Sequence, residues 1–264
     1  MWNAEKVKQL AEWYVSPQGS FALEQEYKLF QNLISIWPRR DYTLLDIGCG
    51  VSAFLEMFWD YGFDVTGLDN NLEVLELSSN RLKNRAEFQL GALDDLPFED
   101  ESFNYASLVT ILEYVEDPKK ILAEAFRVAS DGIIVGFTNK WSINYIINST
   151  LQLLHKIPKR DGQWVSPWQL IRLAKQLYPE CRIYCRSTLL GPKCTWDITS
   201  SWSKLNRIIL SFPIGTYVGM RIEKRPKPAL TPLLLKVKEQ AVNVYNALNP
   251  EATSTIQHNR TNNY

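Results

Sequence analysis

Between Tyr42 and Thr138 the chain alternates short apolar or β-branched runs with stretches of helical length, and this rhythm restricts the fold more than any other feature. The runs at 42–46, 64–69, 86–90, 103–109 and 132–138 read as strands, and 52–61, 72–84 and 118–130 read as helices. Strands returned by helices in this order pair in parallel and need cover on both faces of the sheet. The expectation is a doubly wound α/β fold. Asp117-Pro118 and Ser166-Pro167 each read as an N-cap followed by proline at the first helical position, where a missing N–H costs nothing.

Around this core the sequence suggests three additions. Residues 1–40 read as a helical cap, with one segment from Ala4 to Tyr14, a break at Ser16 to Gly19, and a second segment from Ser20 to Trp37-Pro38. The main domain spans 41–225 and carries a helical insertion at about 139–180. Its first part holds Trp141, Ile143, Tyr145, Ile146, Ile147, Leu151, Leu153 and Leu154 and reads as an apolar lid; a helix over 166–178 follows. A strand at 182–189, a helix near 201–211 and a closing strand at 216–223 complete the domain. Residues 226–264 read as a basic, proline-rich linker, one amphipathic helix over 232–246 and a polar, mobile tail.

The charge balance limits the partners. Twenty-nine basic and 29 acidic side chains leave no electrostatic footprint for DNA, RNA or an anionic membrane, so a small-molecule partner fits better. Four cysteines in 264 residues, with no apolar leader at the start, place the chain in a reduced cytoplasm. No uncharged apolar run approaches the roughly 18 residues needed to span a bilayer.

The stretch "LLDIGCGVS", Leu44 to Ser52, runs from a strand into a glycine turn that opens a helix, the place where doubly wound sheets bind ligands. Gly48-x-Gly50-x-x-Ala53 also satisfies the dinucleotide pattern, so a nicotinamide or flavin oxidoreductase is one alternative. Against it, Asp46 stands two residues before Gly48, where it would repel a pyrophosphate and welcome a cation. Asp69 ends the next strand, 19 residues after Gly50, at the spacing where a carboxylate accepts hydrogen bonds from ribose hydroxyls. A ligand with a ribose, an amino group and no phosphate meets both conditions; S-adenosylmethionine is one.

With "VTGLDNN" and "GALDDLPFEDESFNYASLVTILEYVEDPKKILAEAFRV" following in order, the chain resembles the type 11 group of class I S-adenosylmethionine-dependent methyltransferases from about Tyr42 to Thr138. The resemblance implies a Rossmann-like seven-stranded sheet with helices on both faces and the last strand antiparallel. It implies S-adenosylmethionine as cofactor and S-adenosylhomocysteine as product. It also implies roles: Asp46, Gly48, Cys49 and Gly50 cradle the methionine and ribose, Asp69 binds the ribose hydroxyls, Asn70 lies near the adenine, Leu93 and Asp94 bracket it, and Thr110 and Ile111 face the methionine. Tyr14 is expected to close over the cofactor. Three positions depart from the pattern: Ser52 replaces a third glycine, Ala92 stands where an Asp is frequent, and Asn104 stands where "FD" is usual. Ser52 is tolerated at negative φ and strained at positive φ.

Methyl transfer from a sulfonium is an in-line displacement, and a base is needed only if the acceptor must lose a proton. The candidates for such a role are Glu113, Tyr114 and His155. The plain alternative for Glu113 is a solvated loop carboxylate, and for His155 a surface residue. Cys181 and Cys185 on one strand would stand about 13 Å apart, too far to share an ion, so no metal site is expected. The apolar insertion and nine tryptophans point to a small, fairly apolar acceptor methylated at O, N or C. The alternative from a different class is a cofactor-binding protein without chemistry.

Overall fold

The computed structural model describes residues 4–156 and 162–224, all within one compact unit. The linker, the helix at 232–246 and the tail expected beyond residue 225 lie outside the described residues, as do residues 157–161 of the insertion.

Seven strands form one sheet in the order β3-β2-β1-β4-β5-β7-β6. They are β1 (Thr43–Ile47), β2 (Asp64–Asp69), β3 (Ala86–Leu90), β4 (Phe103–Val109), β5 (Ala129–Thr138), β6 (Arg182–Thr188) and β7 (Tyr217–Glu223). The first five are parallel, while β7 runs antiparallel to both β5 and β6. The expected architecture is the observed one, including the antiparallel last strand.

Alternation along the strands builds two cores, because successive side chains leave a strand on opposite faces. Leu44, Val65, Tyr105 and Ile134 enter one core with α2 (Pro17–Ile34), α3 (Ala53–Asp60) and α4 (Leu72–Leu82). Leu45, Leu68, Ala106 and Ile133 enter the other with α5 (Pro118–Val128) and α7 (Pro167–Leu177). The first helix, α1 (Ala4–Val15), packs on α2. In α2, Leu29 and Leu33 lie against Gly219, and Phe30 meets Gly136 so closely that any Cβ there would clash at 2.5 Å. Glycine in these strands is what lets α2 approach the sheet.

Several expectations need correction. Ser16 to Gly19 do not break the preface beyond a single turn: Ser16 caps α2 by accepting from the Gly19 N–H at 3.1 Å, Pro17 takes the first position, and the helix stops at Ile34. Helix α5 ends at Val128, and the next residues already pair with β4. The helix expected near 201–211 shrinks to one turn, Ser203–Asn206, because Leu210 bridges to Ser187 and Asn206 turns inward to receive the Gly191 N–H at 2.6 Å. Asp117 caps α5 as expected, accepting from Lys119 N–H; Ser166 holds the N-cap position of α7 before Pro167, also as expected, but without a side-chain cap bond, its hydroxyl accepting the indole N–H of Trp141. No helix among the described residues is long and apolar enough to cross a membrane.

Candidate functional site

A cleft of about 980 Å³ opens at the carboxyl edge of the parallel strands. Its floor begins at the glycine turn between β1 and α3. Gly48 has φ +74° and Gly50 φ +53°, and a Cβ at Gly48 would lie 2.7 Å from Ile111. The turn therefore needs glycine at Gly48 for two reasons, conformation and space. Ser52, at φ +60°, adopts the left-handed conformation, so the strained alternative is the one observed. Its hydroxyl is fully buried, finds no hydrogen-bond acceptor or donor among the oxygens and nitrogens described, and does not line the cleft.

Asp69 closes the turn from β2. One carboxylate oxygen accepts the Gly50 N–H at 3.1 Å and the other the Asn71 N–H at 3.0 Å. These bonds partly offset burial, whose net effect raises its pKa. Asp46, 3% exposed at the end of β1, accepts from Ser107 Oγ at 2.5 Å. Burial pushes its carboxyl up to about 7 despite that bond, with the Asp69 carboxylate adding to the rise. The thiol of Cys49, buried beside these acids, is pushed up as well.

Of the residues expected at the site, Asp46, Gly48, Cys49, Gly50, Asp69 and Asn70 line the cleft on the turn side. Ala92, Leu93 and Asp94 line it beyond β3, and Thr110 and Ile111 follow β4. Thr110 has φ +58°, a second strained non-glycine at the cleft; its N–H donates to Gly136 O at 2.7 Å. Asn104 is elsewhere. At the opposite edge it accepts the Thr43 N–H at 3.0 Å and gives its own N–H to Thr43 Oγ1 at 3.1 Å, a tie between β1 and β4.

Glu113 and Tyr114 also line the cleft, whereas His155 is exposed at the end of α6 (Ile143–Leu153) and does not. Glu113 is no solvated loop carboxylate: it is 1% exposed and accepts the Thr138 N–H at 2.7 Å together with the Thr138 hydroxyl. Those bonds anchor it to the end of β5. Tyr14 reaches the cleft from α1, and burial raises its phenol pKa, with Glu26 adding to the rise.

Two groups were not anticipated. Glu26 of α2 lines the cleft, and burial together with the neighbouring Glu113 carboxylate pushes it up to about 8. Tyr217 of β7 is 3% exposed, lines the cleft, and has a hydroxyl with no partner among the described residues. The α6 reading also changes. Asn144, Asn148 and Gln152 face the cleft, while Trp141, Ile143, Ile146, Leu153 and Leu154 are exposed to solvent. Residues four apart share a helix face, so an Asn-x-x-x-Asn-x-x-x-Gln spacing was the available signal. Asn144 is also an anchor, donating to Gly191 O at 3.0 Å and Thr216 Oγ1 at 2.7 Å and accepting the Lys193 N–H at 2.8 Å.

Comparison with known proteins gives a likeness over the strands that build the turn. A family model described as a methyltransferase domain, type 11, matches residues 45–136, the stretch from β1 to β5 that builds the turn and the floor of the cleft. Over those residues the chain is similar to class I, S-adenosylmethionine-dependent methyltransferases of type 11. Within that segment it is 36% identical over 89 residues to a demethylmenaquinone methyltransferase of Renibacterium salmoninarum, covering 34% of this chain and 37% of that enzyme. The chain thus spans little more than a third of the length of that relative, and 62% of the length of another. In fold, the chain resembles a Thermotoga maritima methyltransferase described as a possible histamine N-methyltransferase, with TM-score 0.64 and 21% identity, over 84% of this chain and 97% of that one. It also resembles the magnesium protoporphyrin IX methyltransferase of Synechocystis, solved with bound S-adenosylhomocysteine, with TM-score 0.62 and 11% identity, over 84% and 96% of the two chains. The residues of the turn suit such a ligand: Gly48, with no room for a Cβ, a carboxylate at the end of β2 bonded to the turn's backbone, and the buried acid Asp46.

Proposed function

We propose that this chain transfers a methyl group from S-adenosylmethionine to an oxygen, nitrogen or carbon of a small-molecule acceptor. The observation that carries the reading is the convergence of Asp46, Gly48, Gly50 and Asp69 on one cleft that continues, past Thr110, to Glu113 and Glu26. Asp69 would accept the ribose hydroxyls, the Gly48 to Gly50 backbone would lie along the methionine part, and Leu93 with Asp94 would flank the adenine. Asp46 would face positive charge. Bound there, S-adenosylmethionine supplies a methyl carbon activated by a positively charged sulfur.

The chain itself contributes position and dryness. Trp13 and Tyr14 of α1 and the buried Trp196 help to wall the cleft; Trp196 is fixed by donating its indole N–H to Gly191 O at 3.0 Å. The relatives are named for different acceptors, a demethylmenaquinone in one case and a possible histamine in another, so the acceptor atom follows from neither. The expected apolar acceptor loses part of its motivation, since the apolar side of α6 faces outward. The four cysteines are free, in keeping with a reducing compartment such as the cytoplasm.

Isothermal titration with S-adenosylhomocysteine and, in parallel, NADH tests this reading. Micromolar binding of the adenosyl ligand without heat from NADH is expected. NADH binding with silence from S-adenosylhomocysteine overturns it and restores the oxidoreductase alternative.

A further inference from the structure

At the end of the cleft away from Asp69, three oxygen-bearing groups from distant parts of the chain meet. Glu26 comes from α2, Glu113 from the loop after β4 and Tyr217 from β7. Glu113 is held in place by the Thr138 backbone and hydroxyl. The Tyr217 hydroxyl is buried over Gly136 within electrostatic reach of Glu26 and Glu113, without a hydrogen-bond partner among the described residues. An orphaned buried hydroxyl costs free energy that a ligand could recover. Rings of Tyr14, Tyr114 and Trp164 line the same end. The cleft already shows how it treats a cation: Lys193 Nζ lies 3.9 Å from the centroid of the Trp13 ring.

We propose that this end of the cleft is an acceptor subsite for an organic amine, held as its ammonium form by Glu26, Glu113 and Tyr217 among aromatic rings. The proposal rests on the methyl-transfer reading and names the acceptor class for it. Chemistry selects among the alternatives. A carboxylate acceptor would add a third acid to two that already repel. An alcohol could satisfy Tyr217 but would bring no charge to compensate the glutamates. An ammonium group carries three N–H donors and a positive charge, matching three acceptors and the ring faces.

The same arrangement prepares the nucleophile. Glu26, as carboxylate, takes one proton from the ammonium: the N–H bond breaks, its electron pair stays on nitrogen, and an O–H bond forms on the carboxyl group. The nitrogen is then neutral and can attack carbon. Burial and Glu113 raise the proton affinity of Glu26 towards that of an amine, which favours this transfer over one to an ordinary carboxylate.

The test is calorimetric titration of the full chain with 2-phenylethylamine, 2-phenylethanol and phenylacetate, each with and without saturating S-adenosylhomocysteine. Heat from S-adenosylhomocysteine alone reports on the cofactor reading; the three probes report on the subsite in either state. Expected are binding of the amine about tenfold or more tighter than the alcohol, and a loss of that margin in Glu26→Gln with S-adenosylhomocysteine affinity kept, as for a charge-assisted hydrogen bond. Tyr217→Phe, which removes one oxygen from a buried ring, should weaken the amine severalfold. Equal binding of alcohol and amine, no amine binding, or Glu26→Gln that binds the amine as the parent does would overturn the proposal.

Discussion

At Ser52 a single side chain sits in a backbone conformation made for glycine. Its φ of +60° weighs against the folded state, and its buried hydroxyl meets no oxygen or nitrogen partner among the described residues, only the Cys49 sulfur. Left-handed geometry costs a non-glycine residue about 1–2 kcal/mol. Ser52→Gly is therefore expected to stabilise the protein by about 1 kcal/mol, a rise in Tm of about 2–4 °C for a chain of this size, read by scanning calorimetry. A lower Tm would show that the hydroxyl has a role in the turn. Asp69 has the opposite character. Both of its oxygens accept backbone N–H groups, and it is the acid proposed to accept the ribose hydroxyls. Asp69→Ala should weaken S-adenosylhomocysteine binding by about 1.5–3 kcal/mol, measured by titration, since it removes a charged acceptor and loosens the turn. Unchanged affinity would exclude the assignment. The departure at Ser52 was legible in the sequence; its sign was not, because φ depends on how the turn meets β2 and α4.

Helix α6 shows what a periodicity can and cannot tell. Its apolar residues suggested a lid over an apolar ligand, yet Ile143, Ile146 and Leu153 face solvent, Tyr145, Ile147 and Leu151 are half-buried, and the amide row at 144, 148 and 152 faces the cleft. A helix pattern fixes which residues share a face, but the neighbouring elements decide which face is inward. Asn144 ties α6 to the loops before α6's neighbours in the cleft wall, Gly191, Lys193 and Thr216. Asn144→Leu should cost about 3 kcal/mol by leaving those groups unpaired, whereas Asn148→Leu on the same face should change stability little. Urea unfolding of the two variants separates anchor from lining; equal losses would contradict the distinction. Helix α2 carries a similar lesson. It reads from sequence as cover for the sheet, and its packing on Gly136 and Gly219 fits that role. Glu26 reaches the cleft from the same helix, and no local pattern marks it.

For the whole molecule, two acids that line the cleft, half-buried Glu26 and buried Asp46, couple folding to pH. Glu26 is held at about 8 and Asp46 at about 7 in the folded state, above unfolded values near 4.3 and 3.9. The folded chain thus keeps protons that the unfolded chain has released. Stability is greatest below the unfolded pKa values and is lost as pH rises through the folded ones. The Tm of the ligand-free protein should fall between about pH 5 and 8, and Glu26→Gln with Asp46→Asn should flatten that fall. A slope unaffected by the two substitutions would place the titration elsewhere. The charged and phenolic groups facing this region come from every side: Tyr14, Tyr27, Glu113, Tyr114, Tyr217 and Asp69, with Lys193 on the wall.

The sequence by itself determined the elements and the turn. The strands at 64–69, 86–90 and 103–109 have the limits that alternation and flanking residues indicate, and the order of motifs from Leu44 to Thr138 carried the family and its cofactor motif. Those features are local, set by side-chain period, capping and the conformational freedom of glycine. The acceptor end of the cleft was decided only by tertiary structure. Glu26, Glu113 and Tyr217 lie far apart along the chain and meet because α2 packs over β7 and the loop after β4 ties to β5. Their proton affinities, like the loss of the helix expected at 201–211, come from burial and long-range pairing, which no short stretch of sequence encodes.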